Sequence, residues 1–247
     1  MNKTNILYLT LSLVLLMGCT NAKSEKQNKT QEECSTPKRM QLEKKERQQT
    51  VYYLNDLEKV RSLEKIKELF PTDSIAETVE FIEEGTIELW VTHIYLSNKQ
   101  TLNYYWQPGK KYQSLHKICV YTSAYFGEES TIHKNSKYDI KLSVDSPQKG
   151  KNDIYLGMSM EELEKTIGTF EFCGFEWDGS GMVIREGKKE LEHITISLGL
   201  PQTSTKEQEI WSNTPAYKRL IGDGQFKSSN KDALKLNLQV IYMAILK

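Results

Sequence analysis

The sequence predicts an α+β fold, and three kinds of signal predict it: capped helix starts, aromatic-rich alternating segments, and turn dipeptides that join them. Thirteen Tyr and four Trp among 247 residues favour strands and a substantial core. A first helix is expected around 55–70, where Asn55 and Glu58 have capping-box spacing and Pro71 stops the run. Leu63, Ile66, Leu69 and Phe70 fall on one face of it. Strands are expected at 77–84, 86–97, 101–106 and 115–125. Between Ile87 and Leu96 both alternating sets hold large residues, which predicts a strand covered on both faces. A second helix follows Ser159, which has Glu162 three residues on, and ends at Gly168. Strands at 170–177 and 181–186 are joined by Asp178-Gly179, a hairpin signal. A strand over 191–198, short helices at 215–221 and 230–235, and a strand over 237–246 complete the chain.

The two halves align once their helices are matched. Ser62-Leu63-Glu64-Lys65-Ile66 reads like Ser159-Met160-Glu161-Glu162-Leu163, and Leu115–Val120 reads like Leu191–Ile196. The expected organisation is therefore two helix-plus-antiparallel-sheet units, 51–126 and 153–247, arranged as a tandem repeat. Residues 127–152, polar and carrying Pro147 and Gly150, read as the linker between them. Residues 19–50 are rich in Lys, Glu, Gln and Asn and read as a flexible tether.

Residues 1–18 predict an address. Lys3 precedes an apolar run, Ile6 to Met17, of about a dozen residues, which suits a signal peptide and is shorter than the ~20 a membrane span needs. The run ends in Leu16-Met17-Gly18-Cys19, which resembles the lipobox of bacterial lipoprotein signal peptides. The resemblance implies cleavage before Cys19 and acylation of that cysteine. Thr20 is not the aspartate that retains enteric lipoproteins on the inner membrane, so residence on the outer membrane, facing the periplasm or the cell surface, is expected. Several acyl chains anchor a protein stably without any transmembrane helix.

Gly157 to Gly168, GMSMEELEKTIG, resembles the helix motif of small outer-membrane-assembly lipoproteins and of the β-lactamase inhibitory proteins. It is also similar to segments of uncharacterised lipoproteins from Bacteroides-type bacteria. The first resemblance implies a helix on an antiparallel sheet and action by binding other proteins.

Chemistry-bearing patterns are sparse. Thirty-three basic and 33 acidic residues balance, so no nucleic-acid partner is expected. The membrane contact is expected through the lipid alone. Gly179-Ser180-Gly181 lacks the Gly-x-Ser-x-Gly of a nucleophile elbow. His93, His116, His133 and His193 lack metal-ligand spacing, and His116 and His193 meet only if the two units pack symmetrically. No metal, cofactor or catalytic set is expected. Cys119 and Cys173 either pair or sit as two small buried residues.

The remaining candidates are aromatic. Tyr104, Tyr105 and Trp106 occupy consecutive strand positions, so one must face away from the core, and Trp177 and Trp211 lie beside turns or loops. Tyr104, Tyr105, Trp106 and Trp211 are the candidate binding residues, because exposed aromatics make interface hot spots. The expected function is a non-enzymatic, membrane-anchored lipoprotein that binds another protein as a structural or assembly partner. Its alternative is an immunity protein neutralising a competitor's toxin, and an envelope hydrolase is the rival from another class.

Overall fold

The computed structural model describes residues 50–82, 85–97, 100–122, 138–146, 150–201 and 205–247. The signal segment, Cys19, almost all of the tether, His133 and residues 127–137 of the expected linker lie outside the described residues. The described residues belong to one compact unit. No helix among the described residues is long and apolar enough to cross a membrane.

The fold is mixed α+β with mostly antiparallel sheets. The largest sheet has six strands. β2 (Ile75–Ile82), β3 (Ile87–Ser97), β4 (Gln100–Trp106) and β5 (Leu115–Thr122) form a meander. The last strand along the chain, β11 (Gln239–Leu246), pairs with β5 on one side and β9 (Ile194–Gly199) on the other. A second sheet joins β1 (Thr50–Tyr53), β6 (Tyr138–Ser146) and β7 (Gly150–Tyr155), with β1 parallel to β6. A two-stranded ribbon pairs β8 (Glu171–Cys173) with β10 (Gln225–Lys227). Strands from both expected units therefore share one sheet. Two parts of the expected linker, residues 138–146 and 150–152, are corrected to strand: in the first, Ile140, Leu142 and Val144 alternate inward and are buried.

The likeness of Leu115–Val120 to Leu191–Ile196 acquires a register explanation. Ile118, Cys119 and Val120 pair with Ile245, Ala244 and Met243 of β11, and so do Ile194, Thr195 and Ile196 from its other side. The two segments occupy equivalent places beside one strand. His116 and His193 bracket the same strand, their carbonyls accepting from the Lys247 and Leu246 amides at 3.0 and 2.8 Å.

The first helix is corrected to two short ones, α1 (Leu54–Leu57) and α2 (Leu63–Leu69). Asn55 makes no capping box. Its side chain instead donates to the Ser143 carbonyl and accepts from the Ser143 amide, at 3.1 and 2.8 Å, so it serves as a strand edge for β6. Ser62 caps α2, and Phe70 before Pro71 is extended, as the steric clash with a proline ring requires. In α3 (Met160–Ile167) Ser159 and Glu162 make the full capping box.

One large core lies on one face of the six-stranded sheet. It includes Ile66 and Phe70 of the α2 segment, Leu142 and Ile154 of the second sheet, and Leu163 of α3. The opposite face carries a smaller cluster of Leu89, Val91, Tyr105, Cys119, Tyr242 and Ala244. From Leu89 to Leu96 β3 thus buries side chains on both faces, as its composition predicts, while Glu88 and Trp90 near its start stay exposed.

Candidate functional site

The candidate binding residues on β4 are corrected by this double coverage. Tyr104 and Trp106 are 0 % exposed and stack at 5.6 Å in the main core. Their polar ends are satisfied there: Tyr104 Oη donates to the Leu57 carbonyl and Trp106 Nε1 to Thr92 Oγ1. Tyr105 does face away from that core, but it is buried on the second face under the Lys117 ammonium, 4.2 Å from its ring centroid. Trp211 is half-buried against the core. A three-aromatic run on a strand with one open face would have left one ring in water, but β4 is buried on both faces from Thr101 to Trp106. Cys119 and Cys173 are both free thiols, so the pairing alternative falls. Burial pushes the Cys119 thiol up to about 11.

On the second face, His93 sits between Glu80 and Asn103, with Nε2 3.4 Å from the carboxylate and Nδ1 2.9 Å from the amide oxygen. The Asn103 amide nitrogen donates in turn to the Tyr105 and Tyr121 hydroxyls. This network is built into the pleat of the sheet, and burial pushes Tyr121 up to about 12. Among the described residues no group of three or more His, Cys, Asp or Glu is placed to hold a metal ion.

A different place is open to a ligand. The chain leaves β8 and turns sharply at Glu176–Gly181. Glu176 has a φ of 60°, and Gly179 and Gly181 are also in the left-handed region. The Ser180 amide donates to the Trp177 carbonyl at 3.0 Å, and the Glu176 amide to Ser180 Oγ at 3.3 Å. The turn is then sewn to β9, since the Leu198 amide donates to the Gly181 carbonyl and the Val183 amide to the Ile196 carbonyl. At Gly181 a Cβ would lie 1.9 Å from the Leu198 carbonyl oxygen, so only glycine lets the turn approach this closely. The apex places Trp177 in solvent, 64 % exposed.

Two short helices face this turn. α4 spans Thr205–Ser212 and α5 spans Pro215–Lys218. Thr214 caps α5 by accepting from the Tyr217 amide, with Pro215 at the first helical position. Tyr217 so fixed stacks on Phe175 at 5.2 Å and 6°. Burial, together with the negative charge of the Glu176 carboxylate, pushes the Tyr217 phenol up to about 12.

Turn, helices and the end of the large sheet enclose a cleft of about 830 Å³. Thr195 and Ser197 of β9 form its floor with Tyr242 of β11. Trp177, Asp178 and Ser180 form one wall, and Glu209, Ser212 and Tyr217 the other. No basic side chain and no histidine occurs among the described residues lining it. Such a space can hold a ligand through aromatic faces, hydroxyls and carboxylates, in the size range of ~300–1,000 Å³ usual for binding pockets.

The sequence singles out Trp177 beside its turn but misses the opposite wall. α4, TKEQEIWS, has too few apolar residues to show a helical stripe, and Tyr217 is brought to Phe175 only by the tertiary fold. The Asp178-Gly179 turn signal was the available clue, because a turn that carries an exposed tryptophan has a reason to be rigid. No family model matches the chain, and neither curated proteins nor solved structures gave a match.

Proposed function

We propose that this protein is a lipid-anchored envelope protein that acts by binding another protein, with the cleft beneath the Glu176–Gly181 turn as its contact site. The observation that carries this reading is a solvent-exposed tryptophan held on a turn that is hydrogen-bonded to a sheet edge. Exposing a large aromatic on a rigid support loses little side-chain freedom on binding, which is why tryptophan dominates interface hot spots. The lipobox-like Leu16–Cys19 supplies the anchor, on the outer membrane, and residues 19–50 the leash.

Within this reading the partner is an envelope component. An inhibitor role against a delivered toxin is the second reading, favoured by the local acidity of the cleft in a chain of balanced charge. A photoreactive residue at position 177, introduced in the producing cell, tests the contact against a control at Leu234, which is exposed and not among the residues lining the cleft. A discrete protein adduct is expected at 177 and not at 234. Identical patterns at both positions, or none at 177, would count against the site. Acyl labelling tests the anchor: Cys19→Ala is expected to abolish it, and normal labelling of the variant would remove the lipoprotein reading.

A further inference from the structure

Three features of the cleft together point to the chemistry of its occupant. The charged groups lining it among the described residues are Asp178 and Glu209, and Glu176 stands in the same turn. Anionic ligands are therefore repelled, and a cation is drawn in. Aromatic faces stand beside these carboxylates: the free indole of Trp177, and Tyr217 backed by Phe175. A guanidinium or ammonium over such faces is attracted by the ring quadrupole. The cleft also carries hydroxyl groups, Thr195 and Ser197 on its floor and Ser180 and Ser212 on its walls. Each can accept a hydrogen bond from a ligand that brings donors.

We infer that the cleft takes a cationic side chain, arginine before lysine, presented on a segment of the partner protein. Arginine fits better because its planar fork stacks on an aromatic ring while its five N–H groups reach carboxylate and hydroxyl together. A volume of about 830 Å³ exceeds a single side chain, so neighbouring residues of the segment enter with it. The inference rests on the proposed protein-binding role and adds the recognition chemistry to it.

The test is selection of displayed dodecapeptides on the full chain in detergent. Binding of chosen peptides is then measured to the parent, to Trp177→Ala and to the Asp178→Asn/Glu209→Gln double variant, with circular dichroism checking the fold. Enrichment of arginine or lysine is expected, with at least tenfold weaker binding to both variants. Replacing the key arginine by uncharged citrulline is expected to weaken binding at least tenfold on the ligand side, independently of any effect of the variants on folding. Peptides without a basic residue that still lose affinity for Trp177→Ala would overturn the cation and leave the protein-binding role intact. An empty selection, with position-177 adducts still forming in cells, would do the same. Peptides indifferent to both variants and to the citrulline replacement, or binding only of oligosaccharides on a glycan array, would overturn both.

Discussion

Gly181 shows how a single residue determines the site. Alanine there must adopt a φ of 67° and place its Cβ against the Leu198 carbonyl, so the turn must leave β9. Gly181→Ala is expected to lose about 2 kcal/mol or more, read as a lower urea midpoint, and to weaken any ligand of the cleft. Trp177→Ala, by contrast, removes an exposed ring and is expected to leave the midpoint within about 0.5 kcal/mol. Cys119 makes a pH prediction. Its folded thiol is raised to about 11 from the ordinary 9, so the folded state holds a proton that the unfolded chain releases. Its contribution is full below pH 9 and is lost as pH rises from 9 to 11. Tyr121, raised to about 12, extends the decline upward. Urea midpoints between pH 8 and 11 should fall, and Cys119→Ala should flatten the lower part of that fall. A midpoint that rises with pH would contradict the burial of this thiol.

At the level of elements, what was legible followed from local chemistry. The β2–β5 meander, α3 with its capping box, and β11 all lie within a few residues of the expected bounds, because alternation and caps are written in adjacent residues. What was not legible depended on distant partners. Asn55 has the spacing of a cap, yet its side chain serves Ser143, eighty-eight positions away, and the helix breaks after Leu57. β6 carries a readable alternation, but Lys141, Ser143 and Asp145 on its other face made it resemble a linker. β1 and β10 are too short to carry a period. The cleft was legible in one wall only. Two substitutions separate the local from the distant contribution. Ser159→Ala is expected to cost about 1 kcal/mol, the usual value of a lost cap. Asn55→Ala is expected to cost about 2 kcal/mol, since it leaves the Ser143 amide and carbonyl without their partner. Equal, negligible effects in thermal melts would refute the role given to Asn55.

Across the molecule, one core and one six-stranded sheet draw on both ends of the described chain. Leu54 and Phe70 belong to the same cluster as Leu238 and Ile245. Unfolding is therefore expected to be a single transition, with tryptophan fluorescence and far-UV circular dichroism giving coincident midpoints. Two separated transitions would restore the division into units at 51–126 and 153–247. Among the described residues β2 is the terminal strand of the large sheet opposite β9, and Phe81 and the Trp90–Lys111 pair, 4.0 Å from ring centroid to ammonium, stand on its side of the sheet.

The inner position of β11 also has a kinetic consequence. β5 and β9 do not pair with each other, and each exposes a ladder of amides and carbonyls until Gln239–Leu246 slots between them. A chain emerging from its amino end thus passes through an interval in which four strands of the meander are complete and the sheet still lacks its closing member. Contacts of such sequence separation slow folding and prolong the life of sticky intermediates. The cleft, whose floor needs Tyr242 beside Ser197, is assembled last. Under the proposed binding role the cleft becomes competent only once β11 has taken its place, and a chain in which β5 and β9 are still apart lacks the floor of the site.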